Sequence, residues 1–423
     1  MPVFADEVPP SPEKLRAWGL DKGELIDTAV PGFQGAAAAA GLRPDGRVDV
    51  GLIAAEQPSP IAGVFTQNKL PAAPVQISRR HLRGKSALAI LANSGGANAC
   101  TGPAGLEACL STCEHLAQAL RCSQELIFPC STGVIGQLNQ LAARINAVIP
   151  GLKSRLTPQG LPLAAQAIMT TDAFPKMAQA RLNLGGREIT VVGMAKGAGM
   201  IRPDMATMLA FVLSDVKIDA AGLQKMALRA AQASFNRASV DGDTSTNDTL
   251  LFMASGRAAN PLLTEEEQAR LEAAFTEICQ KLAAMIVLDG EGAQHLIVTR
   301  IKGAASREQA YQSCYALAHS PLCKTAFYGR DPNWGRFTST MGALAGRHDY
   351  PLEPELMSLY IGPDALVSKG VWQGPEAERR AAAIMGDKIY QLTVDLGLGP
   401  HEFWIFTNDL GPDYVRINAD YRS

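Results

Sequence analysis

The sequence has no apolar run long enough to cross a bilayer. The longest, such as MATMLAFVL from Met205 to Leu213, falls far short of the ~20 residues a spanning helix needs. Its opening, MPVFADEVPPSPEK, has neither the basic n-region nor the apolar h-region of a secretory signal, so a cytoplasmic protein is expected. It has no excess of charge either: Lys+Arg number 39 against Asp+Glu 41. That excludes a dedicated nucleic-acid binder, whose phosphate contacts need a basic surface. Fixed-period repeats, low-complexity tracts and long linkers are missing, and no glycine motif of the Walker type is present to cradle a phosphate. Eight cysteines are ordinary usage for this length and read as buried, reduced thiols. Cys109 and Cys113 lie one helical turn apart near His115, but no second ligand pair follows to complete a metal site.

What is present is apolar and finely divided. The 423 residues are 47% hydrophobic and 19% charged, which suits a well-buried α/β protein of two domains or one large layered domain. Strand-like runs alternate with helical patterns. VDVGLIAAE and SALAILANSGG read as strands ending in turns, and MLAFVL as a buried strand. PAGLEACLSTCEHLAQAL reads as a helix with Pro103 in its first turn and Leu106, Leu110, Cys113, Ala117 and Leu120 on one face. A second helix opens with a capping box, Thr264 with Glu267, and carries Leu271, Phe275, Ile278, Leu282 and Met285 on one face. A third presents Leu223, Met226, Ala230 and Phe235.

The loops hold the chemistry. NSGGANACTG (93–102), CSTGVIG (130–136), SVDGDTSTNDT (239–249), DGEGA (289–293), GRDPNWGR (329–336) and the terminal YVRINADYRS interrupt the apolar pattern. Binding residues favour such turns on a rigid scaffold, although any one of them alone reads simply as a turn. In MAKGAGMIRPDMATMLAFVLSD (194–215), a glycine-rich lead-in ends at Ala206-Thr207 before the apolar run. A threonine hydroxyl is a weak nucleophile unless a base takes its proton, and a free α-amine on the same residue can be that base. Making such a terminus internally requires the chain to cut itself before Thr207, with a small residue preceding. On spacing alone, the simpler reading is that Thr207 begins a buried strand.

KGAGMI from Lys196, then Pro203 and Met205-Ala206-Thr207-Met-Leu, resembles the self-cleavage signature of the ornithine acetyltransferase (glutamate N-acetyltransferase) family. The loops above, together with MTTD at 169–172, resemble that family's motifs in the same order and span nearly the whole chain. The resemblance implies a layered α-β-β-α-type sandwich of the aminopeptidase/ornithine acetyltransferase kind, with a smaller C-terminal α/β domain near residues 295–400. It implies cleavage between Ala206 and Thr207 into an α chain, 1–206, and a β chain, 207–423, assembled as α2β2. It further implies ping-pong transfer of an acetyl group from N2-acetylornithine to glutamate through acetyl-Thr207, with the Thr132 side chain and the Gly133 N–H holding the oxyanion. The substrate contacts it implies are Thr170, Lys196, Thr207, Glu291, Asn418 and Ser423.

Both substrates carry an α-carboxylate and the donor also carries an ammonium, so Lys196 is expected to meet a carboxylate and Glu291 the ammonium. No metal or prosthetic group is expected, and neither a nucleic-acid nor a membrane partner. Whether acetyl-CoA also serves as a donor substrate is left open. Gly96, Gln294-His295 and Asn408 stand where the family pattern has asparagine, Thr-Lys and cysteine, which bears on substrate preference. Two alternatives stand beside this reading. One is a paralogous N-terminal-threonine acyltransferase or aminopeptidase acting on another acyl-amine, of which the aminopeptidase would not need the pair Lys196 and Glu291; the other is a non-catalytic binding protein, which would be expected to lose Thr207 or the STG turn.

Overall fold

A computed structural model of the protein describes residues 8–20, 26, 29–202 and 208–420. The chain forms two compact units, one chiefly of residues 23–236 and 243–282, the other of residues 1–22, 237–242 and 283–421.

The first unit is built on strands β1 (Phe33–Ala38), β2 (Val50–Phe65), β3 (Ser86–Asn93), β4 (Ile127–Ser131), β5 (Lys176–Leu184), β6 (Arg187–Lys196), β7 (Leu209–Ser214) and β8 (Thr249–Ala254). They join in the order β4-β3-β2-β8-β7-β6-β5, with β1 also paired to β2. The long strand β2 belongs to two layers. Its first half pairs with β1 and β3, its register shifts between Ala54 and Ser59, and Ile61–Phe65 pair with β8. The exposed Glu56-Gln57-Pro58 marks this break, the bend expected of a bulged strand.

One apolar core fills the space between the layers, with Ile53, Ile90 and Phe128 from one and Met177, Met194, Phe211 and Leu251 from the other. The outer face of the first layer packs on helices Gly102–Leu120 and Leu141–Ser154 through Leu52, Leu91, Leu116, Ile145 and Ile149. The outer face of the second meets the helix opening at Glu265: Phe252 stands edge-on to Phe275, with ring centroids 5.2 Å apart, and Gly193 lies against Ile278 and Leu282. The architecture is therefore the layered α/β/β/α arrangement that the resemblance implies. Because both faces of β7 and β8 are covered, these strands read as unbroken apolar runs.

The helical patterns hold with two adjustments, the smaller being that Phe235 lies past the end of helix Ala220–Ala233, in a 3-10 turn Phe235–Arg237. The Thr264–Glu267 box forms in both directions, Thr264 N to Glu267 Oε2 at 3.0 Å and Glu267 N to Thr264 Oγ1 at 3.3 Å. Leu271, Phe275, Ile278, Leu282 and Met285 are buried as expected. In helix Gly102–Leu120 the buried stripe is Gly105, Cys109, Thr112, Cys113, Leu116 and Ala117, while Leu106, Leu110 and Leu120 sit half-buried at its edge. Close packing favours the small side chains at the centre of that contact. The Cys109 thiol lies against Cys113, and that contact together with burial raises it well above its ordinary value. His115 instead lies on the exposed side, its Nδ1 2.8 Å from Ser111 O. Among the described residues no group of three or more His, Cys, Asp or Glu could hold a metal ion.

The second unit carries β9 (Leu296–Ala304), β10 (Ser358–Ile361), β11 (Asp364–Ser368), β12 (Val371–Trp372), β13 (Ile389–Asp395) and β14 (His401–Asn408), in the order β12-β11-β10-β13-β9-β14. Strands β9 and β13 run parallel and the remaining pairs are antiparallel. Ile297, Ile301, Leu317, Phe327, Phe337, Leu392, Phe403 and Ile405 form its core. The DPNWGR stretch is a helix start: Asn333 Oδ1 accepts from Arg336 N at 3.1 Å and caps Trp334–His348. No helix among the described residues is long and apolar enough to cross a membrane.

Candidate active site

Thr132 and Gly133 follow directly on β4. Thr132 is buried, and its N–H donates to Asn93 O at 2.9 Å. Gly133 has φ +121, and a Cβ there would lie 2.6 Å from the carbonyl carbon of Gly95. Only glycine occupies such a position without strain. The turn thus rides on the NSGGAN loop, with Ser131 Oγ donating to Asn93 Oδ1 at 2.7 Å and Ala97 N to Val134 O at 3.0 Å. Gly96, one of the departures, forms a parallel bridge with Val134 and its carbonyl accepts from Asn93 Nδ2 at 2.9 Å.

A third motif ties these two together. The buried Asn247 side chain donates to Ala97 O at 2.6 Å and to Ser131 O at 2.8 Å, bridging segments 116 and 150 residues away. Its neighbour Asp248 accepts from Met208 N at 3.2 Å, while Thr249 N donates to Met208 O at 3.1 Å. Asp248 is wholly buried, and its Oδ2 has no hydrogen-bond partner among the described residues. Burial raises this carboxyl well above the carboxylate range, against the pull of the Met208 N–H and the Lys196 charge. A buried carboxyl whose ionisation is disfavoured by its surroundings is a recurring feature of functional sites.

Lys196 ends β6, opposite Leu209 at the start of β7. Its Nζ lies 3.4 Å from Thr170 Oγ1, so two of the expected contacts meet. The group that brings them together is Asp172, whose role the sequence did not reveal. Its Oδ1 accepts from Lys176 Nζ at 2.6 Å and from Gly197 N at 2.7 Å, and its Oδ2 from Thr170 N at 2.8 Å. Burial alone would raise this carboxyl, but the ammonium groups of Lys176 and Lys196 and the Gly197 N–H hold it below the usual carboxylate range. Arg43 grips the same turn from outside, donating to Met169 O at 2.7 Å and Thr170 O at 3.2 Å.

Glu291 and Asn418 belong to the second unit and pair there, Asn418 Nδ2 donating to Glu291 Oε2 at 2.7 Å. Glu291 is buried and Asn418 exposed. Ala206, Thr207 and Ser423 lie outside the described residues.

The first unit thus places a turn that only glycine can make, a buried lysine and a buried carboxyl at strand ends, a set of groups suited to an enzyme's site. Comparison with known proteins carries this further. The ArgJ family model matches residues 34–423. The arginine biosynthesis bifunctional protein ArgJ of Geobacter sulfurreducens is 42% identical over 396 residues, covering 93% of this chain and all of that protein. Its counterpart from Desulfotalea psychrophila is 43% identical over 397 residues, with the same coverage. Among solved structures, the ornithine acetyltransferase of Mycobacterium tuberculosis complexed with ornithine is 36% identical, with a TM-score of 0.40, covering 44% of this chain and 97% of that one. The chain belongs to the ArgJ family and is an enzyme of arginine biosynthesis.

Proposed function

We propose that this enzyme moves the acetyl group of N2-acetylornithine to glutamate through an ester on Thr207, after the chain has cut itself between Ala206 and Thr207. The observation that supports this best is the pairing of Lys196 with Thr170 at the end of β6, across from Leu209, only two residues beyond Thr207. A cation fixed there suits the α-carboxylate common to both substrates.

In the first half-reaction the Thr207 hydroxyl attacks the acetyl carbonyl while its own α-amine takes the proton. The tetrahedral oxyanion is held by the Thr132 side chain and the Gly133 N–H. Its collapse breaks the C–N bond, the α-nitrogen of ornithine takes the proton, and acetyl-Thr207 remains. The amine of glutamate then attacks that ester, giving N-acetylglutamate and free Thr207. Glu291, steadied by Asn418, meets the ornithine ammonium. Ser423 contributes to the pocket. The reading places the enzyme in the cytoplasm as α2β2, without metal or prosthetic group. Activity lost to a chelator and restored by a divalent ion would contradict the last point.

Denaturing mass spectrometry of the wild type beside Thr207→Ala is the test. Two fragments of about half the 44.9 kDa total for the wild type, and an intact variant, are expected. A single uncut species for both would remove Thr207 from its role. Acetyl transfer from acetylornithine to glutamate, assayed on the cut enzyme, separates this reading from a paralogue acting on another acyl-amine.

A further inference from the structure

Glu291 has Asn418 as its one side-chain partner among the described residues, so its position must come from the backbone that carries it. That backbone is gripped at both ends by two consecutive residues of one strand end. Asn408, the last residue of β14, donates from Nδ2 to Val287 O at 3.2 Å. It also lies so close to the next turn that a Cβ on Gly290 would come within 2.1 Å of that nitrogen. Asp409 takes the far side: its Oδ1 accepts from Gln294 N at 2.8 Å and His295 N at 3.0 Å, and its Oδ2 lies 3.2 Å from His295 Nδ1. Glu291 sits midway in the span so fixed.

Beneath Asn408 is a buried lysine that the acetyl transfer does not use. Lys324 Nζ donates to Asn408 Oδ1 at 2.7 Å and to Asn408 O at 2.6 Å, which fixes which way the Asn408 amide faces. Lys324 O in turn accepts from Leu410 N at 3.2 Å. Burial lowers the Lys324 ammonium to about 8, against the opposing charges of Asp409 and Asp241. Burying a charged group in this way is costly, and an apolar side chain of similar volume would often fill the space at least as stably. The arrangement therefore makes sense as a device for placement.

We propose that Lys324, Asn408, His295 and Asp409 form a clamp that positions Glu291 and so sets recognition of the donor's side-chain ammonium. This rests on Glu291 being the ammonium contact. The four are positioning residues and touch no reacting atom.

The test uses the full, self-cleaved enzyme and ping-pong kinetics, in which kcat/KM for each substrate reports its own half-reaction. Asn408→Asp keeps an acceptor for Lys324 but loses the donor to Val287 O. It is expected to lower kcat/KM for acetylornithine about tenfold, the value of one such hydrogen bond. Glutamate's kcat/KM should stay within about twofold, as should that for an N-acetyl amino acid of equal length with an uncharged side chain. His295→Asn, on the other arm, gives the same selective loss and serves should the first variant not fold. A loss shared by charged donor, uncharged donor and glutamate, or no loss at all, overturns the clamp. Glu291→Gln separates the two layers of the argument. If Glu291→Gln lowers kcat/KM equally for charged and uncharged donor, or for neither, the ammonium reading falls; if it lowers only the charged donor's while the clamp variants do not, only the clamp falls.

Discussion

Lys196 and Glu291, the two charged side chains proposed to meet substrate, are held in opposite ways. Around Lys196 the protein spends buried charge: the Asp172 carboxylate sits between Lys176, Gly197 and Thr170, and no water-exposed group is needed to fix it. Around Glu291 the carboxylate itself is loosely partnered and the loop beneath it is tied down, by Asn408 on one side and Asp409 on the other. One site fixes its side chains, the other its main chain. The difference teaches that substitutions near Lys196 will register first in stability, and those near Glu291 first in selectivity.

The sharpest way to break that contrast is Asp172→Asn. It takes the Asp172 carboxylate from the wholly buried Lys176 ammonium, a loss of about 3–5 kcal/mol, whereas Glu291→Gln should change stability by less than about 1 kcal/mol. Urea unfolding of both variants measures this, and equal losses would erase the distinction. Next in size is Gly133→Ala. Its Cβ would be driven into Gly95, displacing the N–H proposed to hold the oxyanion, for an expected fall of about 10²–10³ in the rate of Thr207 acetylation. Mass spectrometry of the first turnover reads it, and near-normal acetylation would detach the turn from catalysis.

A smaller effect concerns pH. Between about 8 and 10.5 unfolded Lys324 holds a proton that the folded protein has released, so stability should rise with pH across that window. Lys324→Met should abolish this rise, seen as a difference between the two denaturation profiles, and an unchanged profile would show that burial does not perturb the amine. Asp172 has the same sign in an acid window: its lowered carboxyl contributes stability above its unfolded value, which is lost as pH falls. Smallest of all is Glu267→Ala, which removes half of a helix cap distant from either site. A loss of about 1 kcal/mol without change in kcat/KM is expected, and any kinetic effect would show that stability alone feeds into the assay.

Much of the scaffold was legible in the sequence. β3, β7 and the helix opening at Glu265 announced themselves through apolar period and caps, because those signals are local. The buried stripe of helix Gly102–Leu120 was misjudged by about one position, since hydrophobicity cannot say where the sheet demands small side chains. Of the candidate site, the motifs could be read, and the family resemblance named Lys196, Thr170, Thr132 and Glu291 within them. The groups that hold these residues could not. Asp172 lay inside a quoted motif, but its partner Gly197 is 25 residues on. Asn247 answers to Ala97 and Ser131, and Lys324 to Asn408, 84 residues away. Polar side chains in loops look alike until the fold supplies their partners.

The order of the strands has a consequence for a chain that is cut after Ala206. β7 and β8, the first strands beyond the cut, are not at an edge: β6 borders them on one side and β2 on the other, both from the N-terminal piece. The two pieces are threaded through a common sheet, like fingers of clasped hands. Hydrolysis of one bond would free a terminus without freeing a fragment. The products would run as two bands in detergent and as one body in native buffer, and neither could be exchanged for a fresh copy short of unfolding both.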